Sequence, residues 1–563
     1  MEGRGLKHSG KTKARVIFDA AESYGVKDVV ISPGSRNAPL IIEASVRRGL
    51  KKHVIVDERS AAFTALGMAS LSGKPVMLIC TSGSAVLNYH PAVAEAFYSQ
   101  VPLIVVSADR PTYRIDKGEG QTIRQHGVLK NHTGFYTTLP DDENSKKEIA
   151  QKIEKAFHTA FLQQVPVHIN VPFEEPLYDM VPTYKPVVFE KVKTEIQWVS
   201  DEDLDRLEKI WKQAARKLII VSQMRLDERP VEQLKRLAEF DDTVIITENI
   251  SNVENADFLA HIDRLIFPMD DDEWRAFAPD LVMTVGRNII SKKIKYLLRN
   301  VKPSLGHWHI GKSLISLDTF DVQTEHIQVE PSVFLSQLLF RIYDWNPEHK
   351  YYRKKWFDLA GKRKAKHEAF IASIPFGDMK FFDVLSDVLP ENYIVEWANS
   401  TVVRYAQLFD FKKGILHFSN RGTSGIDGSV STAVGRAQKT NKPVLLVTGD
   451  LSFMYDSNGL WQDLPENLKI IIINNGGGDI FNFIPGPSNV MNYDKFFVAK
   501  HQTNVAHLVQ QFGLDYTFLK TTNVEKAKET IEKFFSSTGQ VLEMDTTGTD
   551  NALILKNYFN SLK

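Results

Sequence analysis

The chain has 563 residues, of which 43% are hydrophobic, enough for three or four domains of roughly 150 residues with well-buried cores. Lysine and arginine together number 69, as do aspartate and glutamate, so no global charge favours nucleic acid or an anionic membrane. The single cysteine, Cys80, excludes an intramolecular disulfide, and its apolar neighbours predict a core residue in a cytoplasmic protein. The basic N-terminal stretch lacks the apolar segment of a signal peptide, and no run approaches about 18 apolar residues, so no membrane insertion is expected.

Residues 1–180 alternate apolar runs with segments long enough for helices, which predicts a parallel sheet covered on both faces. The predicted strands are Asp28–Ser32, His53–Val56, Val76–Cys80, Leu103–Ser107 and Val167–Val171. Polar, small or charged residues follow four of these strands: Pro33–Arg36, Asp57–Ser60, Thr81–Ser84 and Ala108–Pro111. Because ligands bind where parallel strands end, function is expected at this edge.

Glu58 follows a predicted strand and opens a helix rich in small residues. Two interpretations are open at this point. A glutamate at a helix N-terminus is stabilised by the helix dipole whatever its function. Alternatively, a dry pocket raises the carboxyl pKa into the range useful for general acid–base chemistry.

The stretch 185–193, which contains a proline, predicts a linker to a second α/β unit. The predicted strands of this unit are Leu218–Ser222, Thr243–Thr247, Leu281–Val285 and Leu305–Ile310. Val285–Asn288 is too short for a glycine-rich dinucleotide fingerprint, so neither NAD nor FAD is expected. Lys292 and Lys293, just past a strand end, fit either a solvated face or an anion contact. The basic stretch at 345–370 predicts a solvent-exposed helical connector.

The third unit again carries its polar residues at strand ends. Its predicted strands are Tyr393–Trp397, Ile415–Ser419, Val444–Thr448, Lys469–Ile473 and Val541–Asp545. Ser400 and Arg404 follow the first of them, and Arg421 follows the second. The glycine- and serine-rich turn 424–429 then enters a helix, where free backbone N–H groups would suit a diphosphate.

The stretch 449–481 contains the most specific pattern in the chain. Gly449-Asp450 ends one apolar strand, and Asn475 with three following glycines ends the next, 25 positions after Asp450. Mg²⁺ prefers oxygen ligands, often one or two carboxylates together with substrate phosphates. Each half alone is ordinary turn chemistry. The joint pattern predicts a metal–diphosphate site, and it favours the acid–base interpretation of Glu58.

These motifs resemble the thiamine-diphosphate (ThDP)-dependent decarboxylase superfamily over the whole chain. Within it they are most similar to the family that joins 2-oxoglutarate to isochorismate in menaquinone biosynthesis. The stretches that carry the resemblance are SPGSRNAPL (32–40), DERSAAFTALGMA (57–69), TSGSAVLNYHPAVAEA (81–96), ADRP (108–111), Gln121, NRGTSGIDGSVSTAVG (420–435) and GDLSFMYDSNGL (449–460). Leu451 departs from the Gly-Asp-Gly of many ThDP enzymes, and GDLSF fits this branch.

The resemblance implies three α/β domains: 1–180 binding the pyrimidine, 190–345 central without a dinucleotide, and 375–563 binding the pyrophosphate. It implies ThDP with Mg²⁺ or Mn²⁺, the metal being held by Asp450, Asn475 and the carbonyl of Gly477. Glu58 would be the catalytic acid–base. The implied cofactor-binding residues are Ser82, Gly83, Asn88, Ser400, Ser424, Gly425, Ile426, Asp427, Gly449, Asp450, Leu451, Ser452, Asn475, Gly477, Ile480 and Phe481.

The implied activity is that of a transferase: decarboxylation of 2-oxoglutarate and 1,4-addition of the four-carbon unit to isochorismate. Both substrates are dicarboxylates, which suit arginine and lysine. The implied substrate residues are Ser35, Arg36, Arg110, Gln121, Lys292, Lys293, Ser400, Arg404, Arg421, Ile480 and Phe481. Lys293 stands where some members have arginine. Arg404, Arg421 and Ser400 would favour 2-oxoglutarate, and Arg36, Arg110 and Lys292 isochorismate.

The resemblance further implies a homodimer or homotetramer with sites at subunit interfaces, where Glu58 and Asp450 of one site come from different subunits. Three alternatives remain open: another ThDP-dependent carboligase such as acetohydroxyacid synthase, a non-catalytic protein of the same fold, and a nucleic-acid binder. Several cations argue against a pyruvate-type substrate with one carboxylate. The presence of both Glu58 and the Asp450 motif argues against a non-catalytic protein, and zero net charge against nucleic acid.

Overall fold

The computed structural model describes residues 7–192, 195–313, 315, 317–347, 351–482 and 490–563. The strands are β1 His8–Ser9, β2 Asp28–Ile31, β3 Lys51–Val54, β4 Val76–Cys80, β5 Leu103–Asp109, β6 Phe135–Thr138, β7 Val167–Pro172, β8 Met180–Val181, β9 Lys217–Val221, β10 Thr243–Thr247, β11 Leu281–Val285, β12 His307–Ile310, β13 Gln323–Ile327, β14 Ile394–Trp397, β15 Leu416–Phe418, β16 Val444–Gly449, β17 Leu468–Asn474, β18 Tyr516–Lys520 and β19 Val541–Asp545.

The helices are α1 Thr12–Tyr24, α2 Ala38–Val46, α3 Glu58–Ser72, α4 Ser84–Asn88, α5 His90–Ser99, α6 Lys146–Gln163, α7 Asp201–Gln213, α8 Val231–Leu237, α9 Ile262–Ile266, α10 Asp271–Phe277, α11 Lys292–Asn300, α12 Pro331–Arg341, α13 Tyr352–Ser373, α14 Asp378–Val388, α15 Thr401–Ala406, α16 Ser429–Ala437, α17 Asp450–Tyr455, α18 Val505–Gln511, α19 Val524–Ser536 and α20 Asn551–Ser561. Among the residues that the structure describes, no helix is both long enough and apolar enough to cross a lipid bilayer.

Three sheets confirm the predicted α/β class. The first has the order β3-β2-β4-β5-β7-β6, the central sheet β10-β9-β11-β12-β13, and the third β15-β14-β16-β17-β19-β18. The strand pairs within these sheets whose register is described are parallel. Strands such as β4, β9 and β10 are buried along their whole length, as expected for a sheet covered on both faces.

Five strands were not predicted from the sequence: the short β1 and β8, which pair with each other, and one strand at an edge of each of the three larger sheets. The three edge strands are β6 (FYTT), β13 (QTEHI) and β18 (YTFLK), and all three are partly exposed. An edge strand has only one neighbour, so it needs no continuous apolar run. The predicted edge strand His53–Val56 was placed two residues too late, because β3 begins with Lys51 and Lys52.

The basic stretch that was predicted to be a solvent-exposed connector forms helix α13, and one face of this helix is buried. Tyr352, Trp356, Arg363, His367 and Ile371 are all buried. Their spacing of four or seven residues places them on one helical face, which is therefore a packing face. The predicted linker also contributes to packing, since Phe189 is 7% exposed and belongs to the core around the first sheet.

Residue contacts divide the chain into two compact units. Unit 1 comprises the described residues of Met1–Glu195, Asn420–Asn441 and Tyr455–Leu468. Unit 2 comprises those of Ile196–Ser419, Lys442–Met454 and Lys469–Lys563. The first sheet thus lies in unit 1, whereas the central sheet lies in unit 2. The domain boundaries 1–180, 190–345 and 375–563 stay predictions.

Within unit 1, helix α16 packs closely on helix α3. A Cβ on Gly67 would lie 2.1 Å from the carbonyl oxygen of Thr432, and a Cβ on Gly435 would lie 1.9 Å from that of Thr64. Each helix therefore supplies a glycine where the backbone of the other approaches. Glu58 begins one of these helices, so the crossing fixes the direction of its first turn.

Candidate cofactor and substrate site

Asp450 lies at the end of β16 and ties together two loops of unit 2. It is 2% exposed, and its Oδ1 accepts a hydrogen bond from the Leu451 N–H at 2.7 Å. Its Oδ2 accepts from the N–H groups of Gly476 and Gly477 at 2.9 and 3.0 Å. His501 Nε2 lies 3.1 Å from the same oxygen. Burial raises the pKa of Asp450 above its ordinary value, against these hydrogen bonds.

The second predicted metal ligand, Asn475, follows β17. Its Nδ2 donates to Asp378 Oδ2 at 2.9 Å, while its amide oxygen accepts no hydrogen bond from any described residue. Gly477 has φ 149°, and a Cβ there would lie 2.6 Å from the Val498 carbonyl oxygen, so only glycine fits. The structure thus brings a carboxylate, an amide oxygen and a glycine backbone onto one loop pair.

These oxygens suit a hard divalent cation that also binds a diphosphate. Among the described residues, no group of three or more His, Cys, Asp or Glu side chains could hold a metal by itself. One carboxylate, one amide and one carbonyl form an incomplete shell, as expected where Mg²⁺ takes its remaining ligands from phosphate and water. The donor set therefore fits a metal bound together with a cofactor diphosphate.

A cavity of about 850 Å³ in unit 2 collects several of the predicted substrate residues. Lys292, Lys293, Arg404 and Ile480 all line it. Its other charged lining residues are Asp263, Asp550 and Lys556, and its apolar lining includes Phe267, Leu553 and Phe559. Four cations against two carboxylates leave an excess of positive charge, which suits an anionic ligand.

Arg404 lines this cavity, and Ser400 precedes the first residue of the same helix, α15. Arg404 donates to the carbonyl oxygen of Ile290 at 3.3 Å, and burial lowers the pKa of its guanidinium. Burial likewise lowers the pKa of Lys293. Ser400 has φ 74° and ψ −125° at the start of α15, a conformation that a side-chain-bearing residue rarely adopts. Strain of this kind clusters at functional sites, which agrees with the predicted role of Ser400.

In unit 1, Glu58 is the first residue of α3, directly after the helix-capping Asp57. Burial raises the pKa of Glu58 above its ordinary value, while a hydrogen bond with Asn88 partly opposes the shift. Two predicted residues, Glu58 and Asn88, therefore lie together. Cys80 is buried nearby with a raised pKa, as expected of a core thiol.

Four further predicted residues meet at the ends of β4 and β5. Arg110 donates to Ser82 Oγ at 2.9 Å, and Ser82 Oγ donates to the carbonyl oxygen of Gln121 at 2.8 Å. Gly83, at φ 84°, has its would-be Cβ 3.2 Å from Gln121. The backbone N–H of Gly83 donates to Gln125 Oε1 at 3.1 Å. Gln125 is fully buried and was not predicted, because nothing in the sequence separates it from the other polar residues of its loop.

Arg36 and Ser35 are positioned differently from each other. The Arg36 guanidinium donates to the carbonyl oxygen of Phe173 and to Glu175 Oε1, both at 3.1 Å. Arg36 is 8% exposed, and its Nε has no hydrogen-bond partner in the described structure. Ser35 is exposed.

The loop that carries Arg421 is held by Glu95, a residue that the sequence alone did not single out. The Glu95 carboxylate accepts from the N–H groups of Gly422 and Thr423 at 2.7 and 2.6 Å. Ser424 in the same loop has φ 60°. The buried Glu95 carboxylate fixes this loop. Glu95 lies 327 positions before Gly422, so a short sequence motif could not connect the two.

The remaining predicted residues are located as follows. Ile426, 37% exposed, and Asp427 lie in the turn before α16, where Gly428 packs against Phe63 of α3. Gly425, in the same turn, precedes them. Gly449 ends β16, and Leu451 and Ser452 belong to the first turn of α17. Phe481, in the short helix after Gly478, has its ring centroid 5.8 Å from that of Phe497.

Comparison with known families gives two matches along the chain. Residues 11–130 match the N-terminal TPP-binding domain of thiamine pyrophosphate enzymes. Residues 399–542 match the C-terminal TPP-binding domain of the same enzymes. The fold is thus the ThDP-binding fold, and the chain carries both halves of a thiamine pyrophosphate enzyme.

Similar proteins identify the family within the thiamine pyrophosphate enzymes. A 2-succinyl-5-enolpyruvyl-6-hydroxy-3-cyclohexene-1-carboxylate synthase of Flavobacterium johnsoniae is 41% identical, over 98% of each chain. The proteins of the same name from Flavobacterium psychrophilum and Porphyromonas gingivalis are 42% and 36% identical, over 98% of this chain and 98% and 97% of their own. The chain belongs to this synthase family.

Proposed function

We propose that this protein decarboxylates 2-oxoglutarate and adds the remaining four-carbon unit to isochorismate, giving 2-succinyl-5-enolpyruvyl-6-hydroxy-3-cyclohexene-1-carboxylate for menaquinone biosynthesis. The observation that carries the substrate class is the cavity of unit 2. Lys292, Lys293 and Arg404 line it beside the apolar Ile480. Several carboxylates require several cations, and an apolar wall protects reacting carbon atoms from water.

ThDP supplies, when bound, the nucleophilic carbon that attacks a keto group and accepts the electrons released with carbon dioxide. Glu58 exchanges a proton with the cofactor pyrimidine, a task for which its raised pKa is suited. Asp450, Asn475 and the Gly477 carbonyl would hold Mg²⁺ or Mn²⁺, which would balance the negative charge of the cofactor's diphosphate. The turn 424–427, with Ile426 supporting the thiamine, and residues 449–452 contact the cofactor, as do Ser82, Gly83 and Asn88.

The chain's cations bind the two dicarboxylates. Arg404 and Arg421 with Ser400 receive 2-oxoglutarate, and Arg36, Arg110 and Lys292 receive isochorismate. Ser35, Gln121, Lys293 and Phe481 complete the substrate contacts. The hydrogen bonds of Arg110 and Arg404 to neighbouring oxygen atoms hold these side chains in place, which lowers the entropy lost on binding.

The test is an assay of the purified protein with ThDP, Mg²⁺, 2-oxoglutarate and isochorismate. We expect isochorismate consumption that depends on 2-oxoglutarate. Consumption that is independent of 2-oxoglutarate contradicts the assignment. Replacement of both substrates by pyruvate tests the acetohydroxyacid synthase alternative, and turnover comparable to that with the dicarboxylates would favour it.

The proposed assembly is a homodimer or homotetramer in the cytoplasm, with Glu58 of one copy and Asp450 of another serving one cofactor. Co-expression of Glu58→Gln with Asp450→Ala chains tests it. A mixed dimer then contains one site with both changes and one intact site, so activity that neither variant shows alone is expected. No recovery in isolated mixed dimers indicates that each chain builds its own site.

A further inference from the structure

Asp378 is a buried carboxylate that touches the candidate metal site but belongs to none of the motifs. It opens helix α14 and is 1% exposed. Its Oδ2 accepts from Asn475 Nδ2 at 2.9 Å, and its Oδ1 accepts from the Thr546 hydroxyl at 2.6 Å. It lies 97 positions before Asn475, so sequence spacing gives no hint of the contact.

We propose that Asp378 is a positioning residue for the metal site, which fixes the carboxamide of Asn475 so that its oxygen is available to the cation. This inference rests on the proposed function of Asn475 as a metal ligand. An asparagine side chain can turn either its oxygen or its NH₂ group toward a neighbour. A carboxylate oxygen only accepts, so the NH₂ group must face Asp378 and the amide oxygen must face away.

The amide oxygen of Asn475 is correspondingly left without a donor among the described residues, while Asn475 Nδ2 is engaged. A proton on the Oδ1 atom of Asp378 would keep this orientation. A proton on Oδ1 has the Thr546 oxygen as its partner, and Oδ2 still accepts from Asn475. The orientation therefore depends on an acceptor at Oδ2 and not on the charge.

A hydrogen bond to its N–H and close packing at the preceding residue hold the backbone of Asp378 in place. Its N–H donates to Asn551 Oδ1 at 2.8 Å. The preceding Gly377 has no room for a side chain, because a Cβ would lie 2.6 Å from Thr549 Cγ2 and 2.8 Å from Asn551 Oδ1. The Thr546 N–H donates to the carbonyl oxygen of Asn474 at 2.9 Å, which links the same cluster to the end of β17.

The fold alone does not require a carboxylate at this position. An asparagine is nearly the same size and could donate one hydrogen bond and accept the other. Such an asparagine could also turn its NH₂ group toward position 475 and draw the Asn475 oxygen away from the cation. What a carboxylate adds over asparagine is that both of its oxygens accept, so neither presents a donor to position 475. Partners of metal ligands typically change metal affinity about 10–100-fold when they are replaced.

The experiment is a titration with Mn²⁺ in the presence of saturating ThDP, with free Mn²⁺ followed by electron paramagnetic resonance. Asp378→Asn is expected to weaken Mn²⁺ binding about 10–100-fold, with thermal unfolding of the cofactor-free protein unchanged. The catalytic loss should appear in the Mg²⁺ activation constant and recover with excess Mg²⁺. The matched control is Asp383→Asn in the same helix, where the carboxylate pairs with Lys380 and is 37% exposed; it should bind Mn²⁺ like the wild type.

The exchanged pair Asp378→Asn with Asn475→Asp tests orientation directly. The carboxamide introduced at position 378 would donate to one oxygen of the new carboxylate at position 475 and leave the other oxygen for the cation, so Mn²⁺ affinity should recover. Equal Mn²⁺ affinity in Asp378→Asn and the wild type overturns the inference but leaves the proposed function standing. Absence of ThDP-dependent Mn²⁺ binding in the wild type overturns both. If Asp378→Asn does not fold, the exchanged pair decides: recovered affinity supports the inference, and a folded protein that does not bind Mn²⁺ contradicts it.

Discussion

The first and third sheets have the same strand order but different residues at the strand ends. When the strands of each sheet are numbered in chain order, both sheets have the order second, first, third, fourth, sixth, fifth. After the second strand, the first sheet has Glu58 and the third sheet has Arg421. After the third strand, the first sheet has Ser82 and the third sheet has Asp450. The topology thus sets where loops open, while the residues in those loops set the chemistry.

In the proposed function, this difference divides the binding of one cofactor between the two sheets. The strand ends of the first sheet offer an acid with a raised pKa, small residues and a cation. Those of the third sheet offer oxygen ligands held by backbone N–H groups. A pyrimidine ring needs proton exchange and a diphosphate needs a cation, and neither set of residues could replace the other.

The largest effect is expected from removing the acid of the first sheet. Glu58→Gln keeps the size and the helix start but cannot exchange a proton, so turnover should fall about 10²–10⁴-fold while ThDP still binds. Steady-state assays and ThDP titration by fluorescence measure the two quantities. Glu148→Gln, in the first turn of α6 and 53% exposed, is the matched control and should keep full turnover. Turnover of Glu58→Gln near the wild-type value would exclude the acid–base role.

The next largest effect is expected when Asp450, after the third strand of the third sheet, is replaced by serine. Serine is the residue type that the first sheet has after its third strand, at Ser82. Asp450→Ser removes the proposed metal ligand, whose Oδ2 accepts from the N–H groups of Gly476 and Gly477. Mg²⁺-dependent ThDP affinity should fall by more than about 100-fold, beyond the typical loss for an outer-shell partner. Calorimetric titration with and without Mg²⁺ measures it. The exposed Asp463, changed to Ser, serves as control; equal Mg²⁺ dependence in both variants would remove Asp450 from the metal site.

The sequence predicted the interior strands of all three sheets and the strand-end residues that form the candidate site. Continuous apolar runs such as VMLIC report burial on both faces directly. The edge strands β6, β13 and β18 carry no such run. Asp378, Glu95 and Gln125 were not predicted because each acts through a contact with a residue distant in sequence, 97, 327 and 42 positions away.

A smaller effect is expected where the equivalent helices α3 and α16 cross. Gly67→Ala places a Cβ about 2.1 Å from the Thr432 carbonyl oxygen, so the helices must separate. The cost of such overpacking is about 1–3 kcal/mol of unfolding free energy. Gly361→Ala in the exposed part of α13, where a Cβ meets nothing within 4 Å, is the control. It should instead stabilise the protein by up to about 1 kcal/mol, because alanine favours the helix. Urea unfolding measures both, and a loss of stability of the same size in both variants would argue against close helix packing.

Acid pH should lower the stability of both sheets through the buried His168 in the first sheet and the buried His417 in the third sheet. Burial lowers the pKa of His168 in β7 and of His417 in β15 to about 3. The Trp397 indole N–H donates to His417 Nδ1 at 3.1 Å, so that nitrogen must be unprotonated in the folded protein. His168 Nε2 lies 2.7 Å from the hydroxyl of Ser107.

The sign of the effect follows from the lowered pKa values. Below pH 6.5 the unfolded chain binds protons that the folded protein does not, so stability present above pH 6.5 is lost as the pH falls toward about 3. Each histidine should contribute about 1.4 kcal/mol of this loss at pH 5.5. His168→Gln and His417→Gln should each reduce the difference in unfolding free energy between pH 8 and pH 5.5 by that amount. His507→Gln, at an exposed position, should leave it unchanged. A reduction in only one of the two strand variants would show that the two sheets do not bury these two histidines alike.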